Sequence, residues 1–277
     1  MDFAEYVVTA HPMRDLLTDN ITTKKAFLQG LFSGRIEARG RYSDYVYDFV
    51  SEVDGLISGV FGSPKDTTIN LGPADGWKPE SMPVWEPFVL VFNPRQVTGG
   101  QRLFLECKRG SAQKAFARAI ENHINARANE GWRVSIDPIL DRAKLEEVLG
   151  KYRGKVNKIS LDFPKANLPT GINKSLADVR SKIGKAGGKL KVEAISEDGA
   201  LDTDQEDLSS ALDEAAQSGA RVAVYSEQDN PGRGKRRFVK RYDSQQVKNI
   251  RTRTIEGISD SVANIKDKVA EVLSKLQ

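Results

Sequence analysis

The chain has 277 residues, of which 39% are apolar and 29% charged; this composition builds a core and excludes a disordered chain. No apolar run reaches the about 18 residues of a membrane span, and the start MDFAEYVV lacks the basic and apolar regions of a secretory signal. The net charge is +4, and the single cysteine, Cys107, excludes an internal disulfide, so a reducing cytoplasmic setting is expected.

The length predicts two modest domains, 1–152 and 153–277, of mixed α+β class, with flanking helices and a long C-terminal helix. In chain order, AEYVVTAH (4–11) reads as a strand and residues 22–34 as a short helix ending at a glycine cap. Residues 44–63 alternate around Asp54-Gly55, a hairpin signal. Residues 72–87 hold four prolines and read as a long surface loop.

FVLVFN (88–93) and QRLFLECK (101–108) are strands, followed by a helix over 111–131 that buries Ala112, Phe116, Ala119, Ile120 and Ile124. A strand over 132–139 precedes a helix over 141–152, opened by Asp141. The second half reads strand 155–163, helix 173–188, strand 189–196, helix 202–219 with a capping box at Thr203 and Glu206, strands 220–226 and 236–243, and a helix over 255–276.

The charge is written in blocks. Residues 151–191 hold eleven Lys/Arg against two acids, 193–214 hold nine acids and no base, and 232–253 hold nine Lys/Arg against one acid. Such blocks mark interaction surfaces or solvated faces. In the last block Arg233, Lys235, Arg236, Arg237, Lys240 and Arg241 crowd into nine residues, with Phe238 and Tyr242 interleaved. Guanidinium groups grip phosphates and aromatic rings stack on bases, so these eight residues are the expected nucleic-acid contacts. An acidic protein partner is the alternative use of the same charge.

His11 and His123, with one cysteine, cannot make a four-ligand zinc site, so no metal site is predicted from them. PTGINKS (169–175) has Asn173 and Leu168 where a phosphate loop needs glycine, and GKAGGK (184–189) reads as a helix stop. DTDQED (202–207) has Asp207 where a calcium loop needs glycine. Ile255, Ile258, Val262, Ile265, Val269, Val272 and Leu276 alternate at spacings of three and four, a seam for self-association or for packing on the chain's own domain.

Residues 88–137 place Glu106-Cys107-Lys108 at a strand end before a helix and a further strand. This layout resembles the core of restriction-endonuclease-type nucleases. The resemblance implies magnesium as cofactor, Glu106 as one of its ligands and Lys108 orienting the attacking water. Strand alternation sends Cys107 the other way, into the core with Leu103 and Leu105. The pattern departs from the family at Asn93, which stands where the first carboxylate is expected; the nearest acids, Asp75, Glu80 and Glu86, fall in the proline-rich stretch.

The order VFNPRQ, LFLE and helix is also similar to uncharacterised prokaryotic proteins encoded near phage-defence systems, which implies a nucleic-acid-related role and assigns no residue. The leading expectation is therefore a non-enzymatic nucleic-acid-binding protein, with a metal-dependent nuclease and a protein-binding adaptor as rivals.

Overall fold

The computed structural model describes residues 1–12, 23–41, 43–70, 72–76, 78–97, 100–107, 112–126, 132–163, 190–196, 200–204, 206–228, 237–258 and 264–276. The expected helix 173–188 lies outside them. The fold is α+β, as the order of elements predicted, and is built on two antiparallel sheets and a separate two-stranded ribbon.

The larger sheet has eight strands: β1 (Asp2–Pro12), β2 (Ile36–Arg39), β3 (Asp44–Val53), β4 (Leu56–Gly62), β7 (Phe88–Val97), β8 (Gly100–Cys107), β9 (Trp132–Pro138) and β14 (Thr252–Thr254). Its order is β14-β1-β8-β7-β4-β3-β2, and β9 joins β14 along the same edge of β1. The β3–β4 turn falls at Asp54-Gly55, whose φ angles of 52° and 79° are those of a two-residue hairpin with both centres left-handed.

Because side chains alternate across a strand, each face of this sheet builds its own core. Tyr6, Val8, Leu90, Phe92, Leu103 and Leu105 face α1 (Lys24–Phe32) and α2 (Ala112–Ala126), which contribute Phe27, Leu28, Phe116 and Ile120. Cys107 packs against this core, as alternation predicted. Thr23 caps α1 by accepting the Ala26 N–H at 3.2 Å, and the helix ends at Ser33 rather than at a glycine. Phe3, Val89, Val91 and Phe104 line the opposite face, where α5 (Ile265–Leu276) covers them with Val269, Val272 and Leu273.

The C-terminal helix is thus short, not one run from 255. Ile255 leaves β14 with its N–H on the Met1 carbonyl at 2.8 Å, and Gly257 turns the chain with φ +70°. Of the heptad-like seam, Ile255, Val269 and Val272 pack on the chain's own sheet, the second of the two uses expected, and Ile258 packs against the same cluster. Val262 and the side chains of Ile265 and Leu276 lie outside the described residues.

The expected loop at 72–87 is partly a strand. β5 (Pro64–Asn70) and β6 (Pro79–Trp85) pair as a ribbon. Pro64, Pro79 and Pro83 all fall on the same alternate set of pairs, which fits the set that gives no inter-strand N–H bond, so proline is tolerated there. Lys65, Thr67, Ile69, Glu80, Met82 and Val84 share one face of the ribbon, and its apolar members are exposed.

The smaller sheet has the order β11-β10-β12-β13, from β10 (Val156–Phe163), β11 (Leu190–Ile195), β12 (Arg221–Gln228) and β13 (Arg237–Asp243). One face carries Ile159, Leu161, Phe163, Val222 and Val224 against Leu145 and Leu149 of α3 (Arg142–Lys151) and Leu212 and Ala215 of α4 (Glu206–Ser218). Asp141 caps α3 by accepting the Lys144 N–H at 3.3 Å. α4 begins at Glu206, so the expected start near Thr203 is early by about a turn.

The chain crosses between the two cores twice. α3 lies within 1–152 yet packs with the smaller sheet, and β14 and α5 lie within 153–277 yet complete the larger one. The units meet where Gly219 (φ +72°) abuts β1: a Cβ there would stand 2.3 Å from Val7 Cγ1.

Candidate nucleic-acid interface

The face of the smaller sheet turned away from α3 and α4 is ordered in rows, because three registers align across its four strands. Ile195 pairs with Lys158, Lys158 with Tyr225, and Tyr225 with Lys240, giving one row across all four strands. The next row is Glu193, Ser160, Ala223 and Asp243, and the third is Lys191, Asp162 and Arg221. Lys158 Nζ and Lys240 Nζ each lie 5.7 Å from the centre of the Tyr225 ring, within cation–π range.

Two carboxylates anchor the cations. Glu193 accepts Lys191 at 2.7 Å and Lys158 at 2.9 Å, and its pKa drops to about 2 chiefly through the Lys191 hydrogen bond. Asp243 accepts Arg221 at 3.0 Å and Lys240 at 3.1 Å. Burial pushes the Asp243 pKa up, but the Arg221 hydrogen bond, the Gln245 N–H and Lys240 outweigh it and leave it below the ordinary value.

Two β-bulges flank Tyr225. The β10–β12 register slips between Val156 and Lys158, leaving Asn157 extra; the β12–β13 register slips between Val224 and Tyr225, leaving Arg241 extra. The second slip decides where the expected contacts go. Lys240 and Tyr242 would share a face by simple alternation, yet Lys240 stays on the open face while Tyr242 turns into the core, 2% exposed. Tyr242 is therefore corrected to a packing residue. Arg241 Nε donates to Ser226 Oγ at 2.6 Å, and its guanidinium lies 5.0 Å from the Tyr152 ring, an internal contact. Arg237 and Phe238 sit in β13 opposite Gln228 and Glu227. Their side chains, and the whole of Arg233, Lys235 and Arg236, lie outside the described residues.

Glu106 takes a different position from the one the nuclease resemblance implies. It is 1% exposed on the α5 side of β8, where its Oε1 accepts Lys268 Nζ at 2.8 Å and its Oε2 accepts the Val89 N–H at 2.8 Å. The Gln113 side chain donates to the Glu106 carbonyl at 3.1 Å. The carboxylate is thus engaged by its own fold, across a separation of 162 residues. Lys108 lies outside the described residues, and the Asn93 side chain accepts the Arg95 N–H at 2.9 Å. Among the described residues, no group of three or more His, Cys, Asp or Glu is placed to hold a metal ion, and no helix is long and apolar enough to cross a membrane.

Comparison with protein-family models and with curated proteins finds no match. Sequence reasoning missed Lys158, Lys191 and Tyr225. The signal was present in RVAVY, where Arg221, Ala223 and Tyr225 alternate with the apolar Val222 and Val224.

Proposed function

We propose that the protein binds nucleic acid without processing it, through the open face of the smaller sheet and the basic run that enters β13. The observation that carries this reading is the cross-strand row Lys158–Tyr225–Lys240, an aromatic ring between two ammonium groups on the sheet face turned away from α3 and α4. In sequence, Arg233, Lys235 and Arg236 lie just before β13, which begins at Arg237. Cations and rings together suit a phosphate backbone and its bases, since every base offers a face to stack beside a phosphate to pair. A role in prokaryotic antiviral defence is consistent with the resemblance of the first half and belongs to the same proposal.

A nuclease centred on Glu106 is less well supported, because that carboxylate already holds Lys268 and the Val89 N–H. The deciding experiment titrates labelled nucleic acid against salt. The wild type is expected to lose affinity steeply, with a slope of about −0.7 per phosphate contact on single strands. Replacing Arg233, Arg236, Arg237 and Lys235 by Ala flattens that slope. A protein that binds no nucleic acid at low salt, or a variant with an unchanged slope, contradicts the reading. Magnesium-dependent cleavage of the probe would restore the nuclease.

A further inference from the structure

We infer that the open face takes single-stranded nucleic acid, with one unstacked base laid on Tyr225 and the adjoining phosphates held by Lys158 and Lys240. This rests on the nucleic-acid reading above and narrows it to a strand state and a residue. Three features of the face lead to it.

The first is access. Tyr225 is partly exposed, and the positions beside it in the next row, Ser160 and Ala223, are small and lie low, 8% and 5% exposed. Tyr225 therefore offers more surface than the two positions beside it. A base in a duplex is stacked on both faces and offers only its edges to the grooves, so a ring embedded in a sheet is reached by a base that has left its stack.

The second is the arithmetic of charge. Each anchoring carboxylate holds two cations: Glu193 holds Lys158 and Lys191, and Asp243 holds Lys240 and Arg221. When Lys158 or Lys240 swings toward a phosphate, its carboxylate keeps the other partner. The cost of releasing either lysine is therefore small compared with breaking an isolated pair. Lysine suits this exchange, since its ammonium is a point charge on a flexible stem. Asp162 lies between Lys191 and Arg221 in the third row.

The third is the pair of bulges. Asn157 and Arg241 are the extra residues on the two strands that flank Tyr225. A bulge disrupts pairing and re-aims side chains, and such bulges gather beside functional sites. Here they set Lys158 and Lys240 opposite one ring from both sides.

The test measures fluorescence anisotropy of a labelled oligouridylate, an oligodeoxythymidylate and a mixed-sequence duplex with the full chain. The wild type is expected to bind the single strands more tightly than the duplex, and the ratio of the two single strands sorts RNA from DNA. Tyr225→Phe keeps the ring and binds as the wild type. Tyr225→Ala, and Tyr225→Leu as the variant that keeps bulk and strand structure, each lose roughly ten-fold or more on single strands and little on duplex. Folding of each variant is checked by its melting transition. If Tyr225→Leu binds single strands like the wild type, or if duplex is preferred while the basic-run variant still loses its salt slope, this inference fails and the nucleic-acid reading survives. If none of the probes binds, both fail.

Discussion

At the scale of the residue, Glu106–Lys268 is the most deeply buried of the described ion pairs. Removing one partner of a buried ion pair strands the other charge, at a cost of roughly 3–5 kcal/mol, whereas replacing both with apolar groups is often neutral. Lys268→Met is accordingly expected to lower unfolding free energy by about that amount, and adding Glu106→Leu to recover much of it. Denaturant unfolding of the singles and the double measures this; equal losses in Lys268→Met and the double would remove the pair from the account. Asp243 makes a pH-dependent contribution. Its folded pKa lies below the ordinary 3.8, so it stabilises above that value and the contribution is lost as pH falls through the folded pKa. Asp243→Asn should therefore show a shallower loss of stability than the wild type between neutral pH and the acid range, and parallel curves would contradict that. Burial pushes the Cys107 thiol up to about 11, with the negative charges of Asp2 and Glu106 adding to the effect and the Ala4 backbone opposing it.

At the scale of the element, what could be read in the sequence was local. Asp54-Gly55 marked its hairpin because two left-handed residues in a row need such side chains, and Thr23 and Asp141 act as caps in the structure. β6 was hidden because prolines suppressed the period-2 pattern of Glu80, Met82 and Val84, and a ribbon edge tolerates what a central strand does not. Tyr242 was misplaced because one bulge at Arg241 inverts the alternation after it, and nothing in RRFVKRYD announces a bulge. The Tyr225 row needed three registers among four strands, and Glu106 needed Lys268, so neither could be assembled from local pattern. The ribbon of β5 and β6 adds nothing to any of the three cores. Replacing residues 66–83 by Asn-Gly, which closes the Lys65–Val84 pair with a two-residue turn, should leave unfolding free energy within about 0.5 kcal/mol of the wild type. A collapse of the melting transition would show that the ribbon supports the larger sheet after all.

At the scale of the whole molecule, the two sheets have different faces available. The larger sheet is packed on both sides, by α1 and α2 on one and α5 on the other, so its side chains are committed to stability. Among the described residues, α3 and α4 pack on one face of the smaller sheet, and the other face carries the ammonium groups and the Tyr225 ring. The units are joined by the Gly219 contact with Val7, the Arg102 guanidinium on the Gln217 carbonyl at 3.3 Å, and the Asp141 N–H on the Asn249 carbonyl at 2.9 Å. On the proposed reading the binding surface lies on the smaller sheet, and the larger sheet holds it in place. The most direct measurement of this division of labour is ultraviolet crosslinking of the full chain to oligouridylate, with the joined peptide located by mass spectrometry. The account predicts attachment within residues 221–228, at Tyr225; attachment confined to the larger sheet or to the β5–β6 ribbon would contradict it.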